Sequence, residues 1–362
     1  MPMATERFDY RRRKWLAAIA ATPLLAMRVA RAAPAPSPIL VASWANAAGR
    51  FEIGVIRLVE TGAEVLECIE APTRAHGLAC TPDGQVIAVS RRPGDWIVRW
   101  QPGGEAHWTW AGDERRFSGH LQCAPDGKSV FTTEIDQDSG DGVLVQRDAI
   151  TLEDTAAWPT GGHDPHDLEW LDAHHLLVAN GGIETLPETG RVKRNLEAMD
   201  ASLVLVDTRT GEHVGLWRLP DPRLSIRHLA RHESGRVGVA LQAEHDDAAR
   251  RSQAPLFATF DPASGTFVAS SAVRTRNGYS GDITATDAGW VLSCPKDDCI
   301  FTVDESANVT RHAIAQGCAL VTFADGSGAW ALGDSSWLAL SSPGSVQRTG
   351  AVLHFDNHAL LR

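Results

Sequence analysis

Phe117-Ser118-Gly119-His120-Leu121-Gln122-Cys123-Ala124-Pro125-Asp126-Gly127 is a histidine that opens a short apolar run, followed by a Pro-Asp-Gly turn. The same unit recurs along the chain. Histidine opens a run at Arg74-Ala75-His76-Gly77-Leu78, Asp164-Pro165-His166-Asp167-Leu168, Ser225-Ile226-Arg227-His228-Leu229 and Asp356-Asn357-His358-Ala359-Leu360. Pro82-Asp83-Gly84 repeats the turn, and Ser234-Gly235 is a weaker version. His120, His166 and His228 each stand six residues before the first turn residue, and His76 stands seven before Asp83.

A repeating unit of strand, turn and strand fixes the architecture before any single motif does. Short apolar runs such as Gln85-Val86-Ile87-Ala88-Val89 and Ser202-Leu203-Val204-Leu205-Val206-Asp207 sit between Gly, Pro and Asp turns, which is the all-β pattern. Strand starts near His76, His120, His166, His228, Asp282, Ala319 and His358 number seven. The expectation is therefore a seven-bladed β-propeller, preferred over a pair of β-sandwiches. Only Ala359-Leu360-Leu361-Arg362 follow the last start, too few for a blade. The N-terminal runs Ile39–Ala42 and Gly54–Leu58 have no such start. One blade shared by both termini accounts for both facts and leaves few free strand edges.

Residues 1–32 read as a targeting segment, and 33–362 as one propeller domain. Arg11-Arg12-Arg13-Lys14-Trp15-Leu16 is similar to a twin-arginine export motif, followed by an apolar stretch and the small-x-small site Ala30-Arg31-Ala32. The expected location is the periplasm, reached already folded. The apolar stretch is too short for a comfortable membrane span, and the mature protein is expected to have none. The net charge is −11, and −16 once residues 1–32, with seven basic and two acidic residues, are set aside. So acidic a protein lacks the basic footprint of a nucleic-acid binder. Of the six cysteines, Cys294 and Cys299 are spaced for a hairpin disulfide in an oxidising compartment, and Cys80 and Cys123 read as buried thiols.

In a propeller the innermost strands start at one mouth of the channel, so residues at matched starts converge. Imidazole is the commonest metal ligand and suits iron, copper, zinc and nickel. His76, His120, His166, His228 and His358 are thus the candidate ligands of a transition metal ion. Asp282 and Cys318 occupy the matching place in two further repeats, and Glu134 ends a neighbouring strand. These three are candidates for additional ligands, for groups that position the ligands, or for a base. Arg91, Arg191 and Arg227 are candidate anion-binding residues. The long stretch from Asn180 to Met199 reads as a lid near the channel mouth. His174, His175, His232, His245 and His312 are expected to face solvent. No nucleophile elbow or phosphate loop is present in the sequence.

The chain resembles the bacterial family of exported proteins designated DUF1513. The resemblance rests on Arg74-x-His76-Gly77, Arg91-Arg92-Pro93-Gly94, Phe117 to His120, Pro165-His166-Asp167, Ala179 to Ile183, Leu224 to Ala230 and Asp356-Asn357-His358. It implies a twin-arginine-exported propeller working in iron acquisition or handling, beside imelysin-like or peroxidase-like periplasmic proteins. Leu186 stands where many members carry histidine. Three functions follow: a metal-binding propeller; a metal-dependent enzyme, lactonase-like or oxidoreductase, using the same channel; or an interaction scaffold without metal.

Overall fold

The computed structural model describes residues 37–184, 193, 195–341 and 344–362. The expected targeting segment, Leu186 and Arg191 lie outside them. The described residues form a β-propeller of 26 strands. Four-stranded sheets begin at β4 (Ala75–Cys80), β8 (Arg115–Cys123), β12 (Pro165–Trp170), β16 (Leu224–Arg231) and β20 (Asp282–Thr286). Each continues outward by antiparallel hairpins, as β4 does through β5 (Val86–Ser90), β6 (Trp96–Trp100) and β7 (Ala106–Trp110).

The count of seven blades is corrected to six. The sixth sheet has six strands, in the order β24 (Ala319–Thr322), β25 (Gly328–Ser341), β26 (Gly344–Leu361), β1 (Ile39–Ala45), β2 (Phe51–Val59), β3 (Gly62–Ala71). The cause is the length of β26. Its first part pairs with β25, from Ser341↔Gly344 to Ser336↔Thr349. Its last part pairs with β1, from Ala45↔His354 to Leu40↔Leu361. One continuous strand therefore joins what the repeat count treats as two blades. The pairing of the two chain termini is as expected.

The inner strands β4, β8, β12, β16, β20 and β24 and the end of β26 touch in cyclic order and close the ring. Apolar residues of facing sheets fill the space between them. Leu177, Leu203, Ile226, Val239 and Phe260 form one such layer, each fully buried. Trp44, Trp96 and Trp290 are the largest side chains removed from water. At about 25 cal/mol per Å² of apolar surface buried, layers of this kind supply most of the driving force for closure. Among the described residues no helix is long and apolar enough to cross a membrane.

The strand starts carry the feature that matters for the site. In β4 the pairing with β5 slips between Ala75 and Leu78, around His76. It slips between Phe117 and Leu121, around His120. It slips again between Pro165 and Leu168, around His166, and between Ile226 and Leu229, around His228. The β1–β26 register shifts between Phe355 and Ala359, around His358. A bulge of this kind bends the strand and re-aims a side chain. All five histidines sit in one. Asp282 does not; its strand pairs regularly with Ser293 opposite.

Candidate metal centre

The five bulges bring five imidazoles together. Ring centroids of neighbouring pairs are 4.8 Å apart for His76 and His120, 4.5 Å for His120 and His166, and 4.7 Å for His166 and His228. His228 and His358 are 4.9 Å apart, and His358 and His76 close the pentagon at 4.8 Å. His76, His120, His228 and His358 each offer a ring nitrogen, and these four atoms lie within 4.8 Å of one another. Tetrahedral bonds of about 2.1 Å would set ligands roughly 3.4 Å apart, within reach of small side-chain rotations.

Glycine lets the neighbouring bulges approach. Gly119 has φ +105, which L side chains rarely adopt, and a Cβ there would meet the His76 ring at 3.0 Å. A Cβ on Gly77 would stand 2.7 Å from the Gly119 carbonyl oxygen. The His76 and His120 strands can come this close only because neither residue has a side chain.

Carboxylates hold the rings from behind. His76 Nδ1 lies 3.5 Å from Asp356, His120 Nδ1 lies 3.3 Å from Asp167, and His358 Nδ1 lies 3.4 Å from Asp282. The carboxylates are themselves anchored. Asp167 accepts the backbone N–H groups of Leu168 and Leu229, both at 2.8 Å. Asp282 accepts those of Ile283 and Leu320, both at 2.9 Å. Asp356 accepts Asn357 N at 2.7 Å and is paired by Arg74. Asp167 and Asp282 thereby tie one inner strand to the next while orienting a histidine. A carboxylate on Nδ1 fixes the tautomer that leaves Nε2 free to bind a metal. His120 Nε2 and His358 Nε2 are buried with no hydrogen-bond partner, neither nitrogen of His228 has one, and His76 Nδ1 is near Asp356 without a hydrogen bond to it.

Burial sets the charge state. It drives His76, His120, His166 and His228 well below 6.5, reinforced in each case by neighbouring imidazoles. These rings are neutral at pH 7, the form that ligates metal. In His358 burial, the largest single effect, also opposes the proton, but the Asp282 carboxylate, with Asp167 and Asp356 nearby, raises the ring above 6.5.

His166 belongs to the pentagon but not to the four-nitrogen group. Its Nδ1 accepts from Arg227 Nη1 at 3.3 Å. Cys318 is also engaged elsewhere: its thiol faces the carbonyl oxygens of Phe355 and Asp356, each at 3.3 Å. Burial, with Asp356 nearby, pushes that thiol up to about 12, so it stays protonated. Glu134 is buried inside its own sheet, 2.5 Å from Arg147 and 3.2 Å from Arg115, with Thr132 donating to it at 2.7 Å. The chemistry that needs a free base at Glu134 therefore has no support. Arg91 and Arg227 line a cavity beside the ring. Cys294 and Cys299 face each other across a hairpin as free thiols. His232 and His245 are buried rather than solvent-facing, on Ser234 at 2.8 Å and on Asp221 at 3.0 Å.

The channel is divided at the histidines. On one side a cavity of about 460 Å³ holds Asp167, Glu169 and Asp282 together with His120 and His358. Burial and the Asp167 charge push Glu169 up to about 8. On the other side a cavity of about 290 Å³ holds His76, His166 and His228 with Arg91, Arg92 and Arg227. Ile183 and Lys193, at the described ends of the long insertion, also line it. Sequence reasoning placed Arg92 in the Arg91-Arg92-Pro93-Gly94 turn as a possible anion binder, but missed Glu169 and Lys193. It also passed over Asp167 and Asp356 as functional groups, although both stand in the quoted histidine motifs.

A family model described as "Protein of unknown function (DUF1513)" matches residues 69–361, from the end of β3 to the last strand. The chain belongs to the DUF1513 family. All five histidines of this DUF1513 propeller fall inside the matched span. No curated protein matches the sequence. Similar solved structures include Kuenenia stuttgartiensis hydrazine synthase, at TM-score 0.59 and 14% identity, over 88% of this chain and 97% of that one. The C-terminal WD40 domain of Sif2 gives TM-score 0.51 and 12% identity, over 90% and 83%. At such identities the likeness concerns the fold alone, and WD40 repeats build propellers.

Proposed function

We propose that this DUF1513 protein is a metal-binding propeller that holds one transition metal ion on His76, His120, His228 and His358. The observation that carries the reading is His228, an imidazole 1% exposed with neither nitrogen hydrogen-bonded, facing three other imidazoles. Buried polar groups are nearly always satisfied, so an unsatisfied one calls for a partner. A cation bound by the four imidazoles, with His358 giving up its proton, would fill one nitrogen of His228 together with His120 Nε2 and His358 Nε2. The anchored Asp356, Asp167 and Asp282 support the reading, because ligating histidines usually carry such a partner on the other nitrogen. The cavity on the Glu169 side offers an entering cation the carboxyl oxygens of Asp167, Glu169 and Asp282, with Arg231 also on its wall.

Imidazole ligands admit iron, copper or zinc, and affinity alone favours copper. The finer proposal is a role in iron acquisition or handling. It places the protein in the periplasm after twin-arginine export, beside imelysin-like or peroxidase-like partners, with residues 33–362 as the exported domain. This rests on the family resemblance and on the motif at Arg11-Arg12-Arg13. The test is metal analysis of protein isolated from the periplasm of cells grown with and without added iron. Iron at about one ion per chain supports the role. Purified wild-type protein that shows no melting shift with iron, copper or zinc points instead to the scaffold reading.

A further inference from the structure

The cavity on the His76–His166–His228 side has a chemistry of its own. Arg91, Arg92, Lys193, Arg227 and Lys296 all line it, in a chain whose net charge is −11. The carboxylates available to them are fewer. Asp164 is shared between Arg92 and Arg227 Nη1, the latter at 2.7 Å. Glu244 is paired with Lys193. Lys296 rests over the Tyr279 ring at 3.9 Å. Arg91 makes no ion pair among the described residues, and its Nε is buried and unpartnered. The deciding group is Arg227. Its side chain is 1% exposed, yet Nε and Nη2, the forked edge of the guanidinium, have no partner.

A buried guanidinium with one edge satisfied and the other empty is costly unless something fills the fork. That fork matches the two oxygens of a carboxylate or a phosphate. We propose that this cavity is a binding site for a small oxyanion of the carboxylate or phosphate class, held by Arg227 and Arg91 beside the histidine ring. The site stands on the arginines alone. Its use as a co-ligand of the ion rests on the metal reading. In that use a carboxylate or phosphate oxygen would reach the ion from the Arg227 side, while the cation enters from the Glu169 side. The insertion contributes to the site through Ile183 and Lys193.

The test is calorimetric titration of the full-length, chelator-treated protein with citrate and, separately, with inorganic phosphate. One site per chain is expected. Arg227→Gln and Arg91→Gln should each weaken it at least about tenfold, the loss of a charge-assisted hydrogen bond. Arg218→Gln, at an exposed pair with Asp200, should leave it unchanged. Arg91 lacks an ion pair, so its variant keeps the proposal testable if Arg227→Gln does not fold. The stronger of the two titrations assigns the anion class. The proposal is overturned if neither anion binds the wild type at about 10 mM, or if both arginine variants bind like wild type. Zinc titration of the same samples separates the two ideas. Zinc binding without anion binding sinks only this proposal; anion binding without zinc binding sinks only the metal reading.

Discussion

His358 Nδ1 stands 3.4 Å from Asp282 Oδ1, joining the last strand of the chain to the first strand of the sheet that begins at β20. Asp282 occupies the place in its own repeat that histidine occupies in five others, but its strand has no bulge. Without the bulge its carboxylate reaches a neighbouring imidazole instead of joining the ring. Asp282→Asn should therefore keep the fold and lower metal affinity by about 10–100-fold, the usual loss when a histidine's supporting carboxylate goes. Competition with a chromophoric chelator would read it. Unchanged affinity would remove Asp282 from the site.

The histidines themselves should not be equivalent. His120→Ala and His228→Ala remove ligands from the four-nitrogen group, and each should cost more affinity than Asp282→Asn. His166→Ala should cost less, because His166 Nδ1 is already engaged by Arg227. A ranking with His166 as the most damaging would mean that the four-nitrogen group is misassigned.

Gly77→Ala probes the approach of two bulges. The added Cβ would meet the Gly119 carbonyl oxygen at 2.7 Å, so backbone must move. Small-to-large changes in tight packing cost about 1–3 kcal/mol. The melting temperature should fall by several degrees, and metal affinity should fall with it because His76 and His120 shift apart. A variant that is destabilised but binds metal normally would show that the approach serves stability alone.

These residues show what could be read from the sequence. The histidine register named all five rings, because a repeat maps equal sequence positions onto equal places in space. The bulges that aim them are invisible in sequence; they exist only as a mismatch with β5, β9 (Ser129–Asp136), β13 (His175–Asn180), β17 (Val237–Ala243) and β1. The blade count failed for a related reason. Strand starts can be counted, but nothing in the sequence marks whether β26 breaks between its two partners. Lys193 reaches the arginine cavity through tertiary packing, which no local pattern encodes.

Acid should destabilise the metal-free protein. Burial holds His76, His120, His166 and His228 well below 6.5, so the unfolded chain binds more protons than the native state once pH falls below about 6.5. Stability is full above that value and declines as pH drops beneath it. His358 has the opposite sign: its contribution is present at low pH and is lost as pH rises through its elevated value. Glu169, held up to about 8, has the same sign as His358, so four groups against two give a net loss in acid. Urea unfolding at pH 7.5 and 5.5 checks this, and equal stability at both would contradict it.

The most direct test of the central claim is X-ray absorption spectroscopy of the wild-type protein loaded with one equivalent of zinc. Imidazole nitrogens should surround the ion at about 2.0–2.1 Å, with the multiple-scattering signature of several histidine rings. His120→Ala/His228→Ala should lose that spectrum while keeping the wild-type circular dichroism. Coordination by oxygen alone, or an unaltered spectrum in the double variant, would contradict the account.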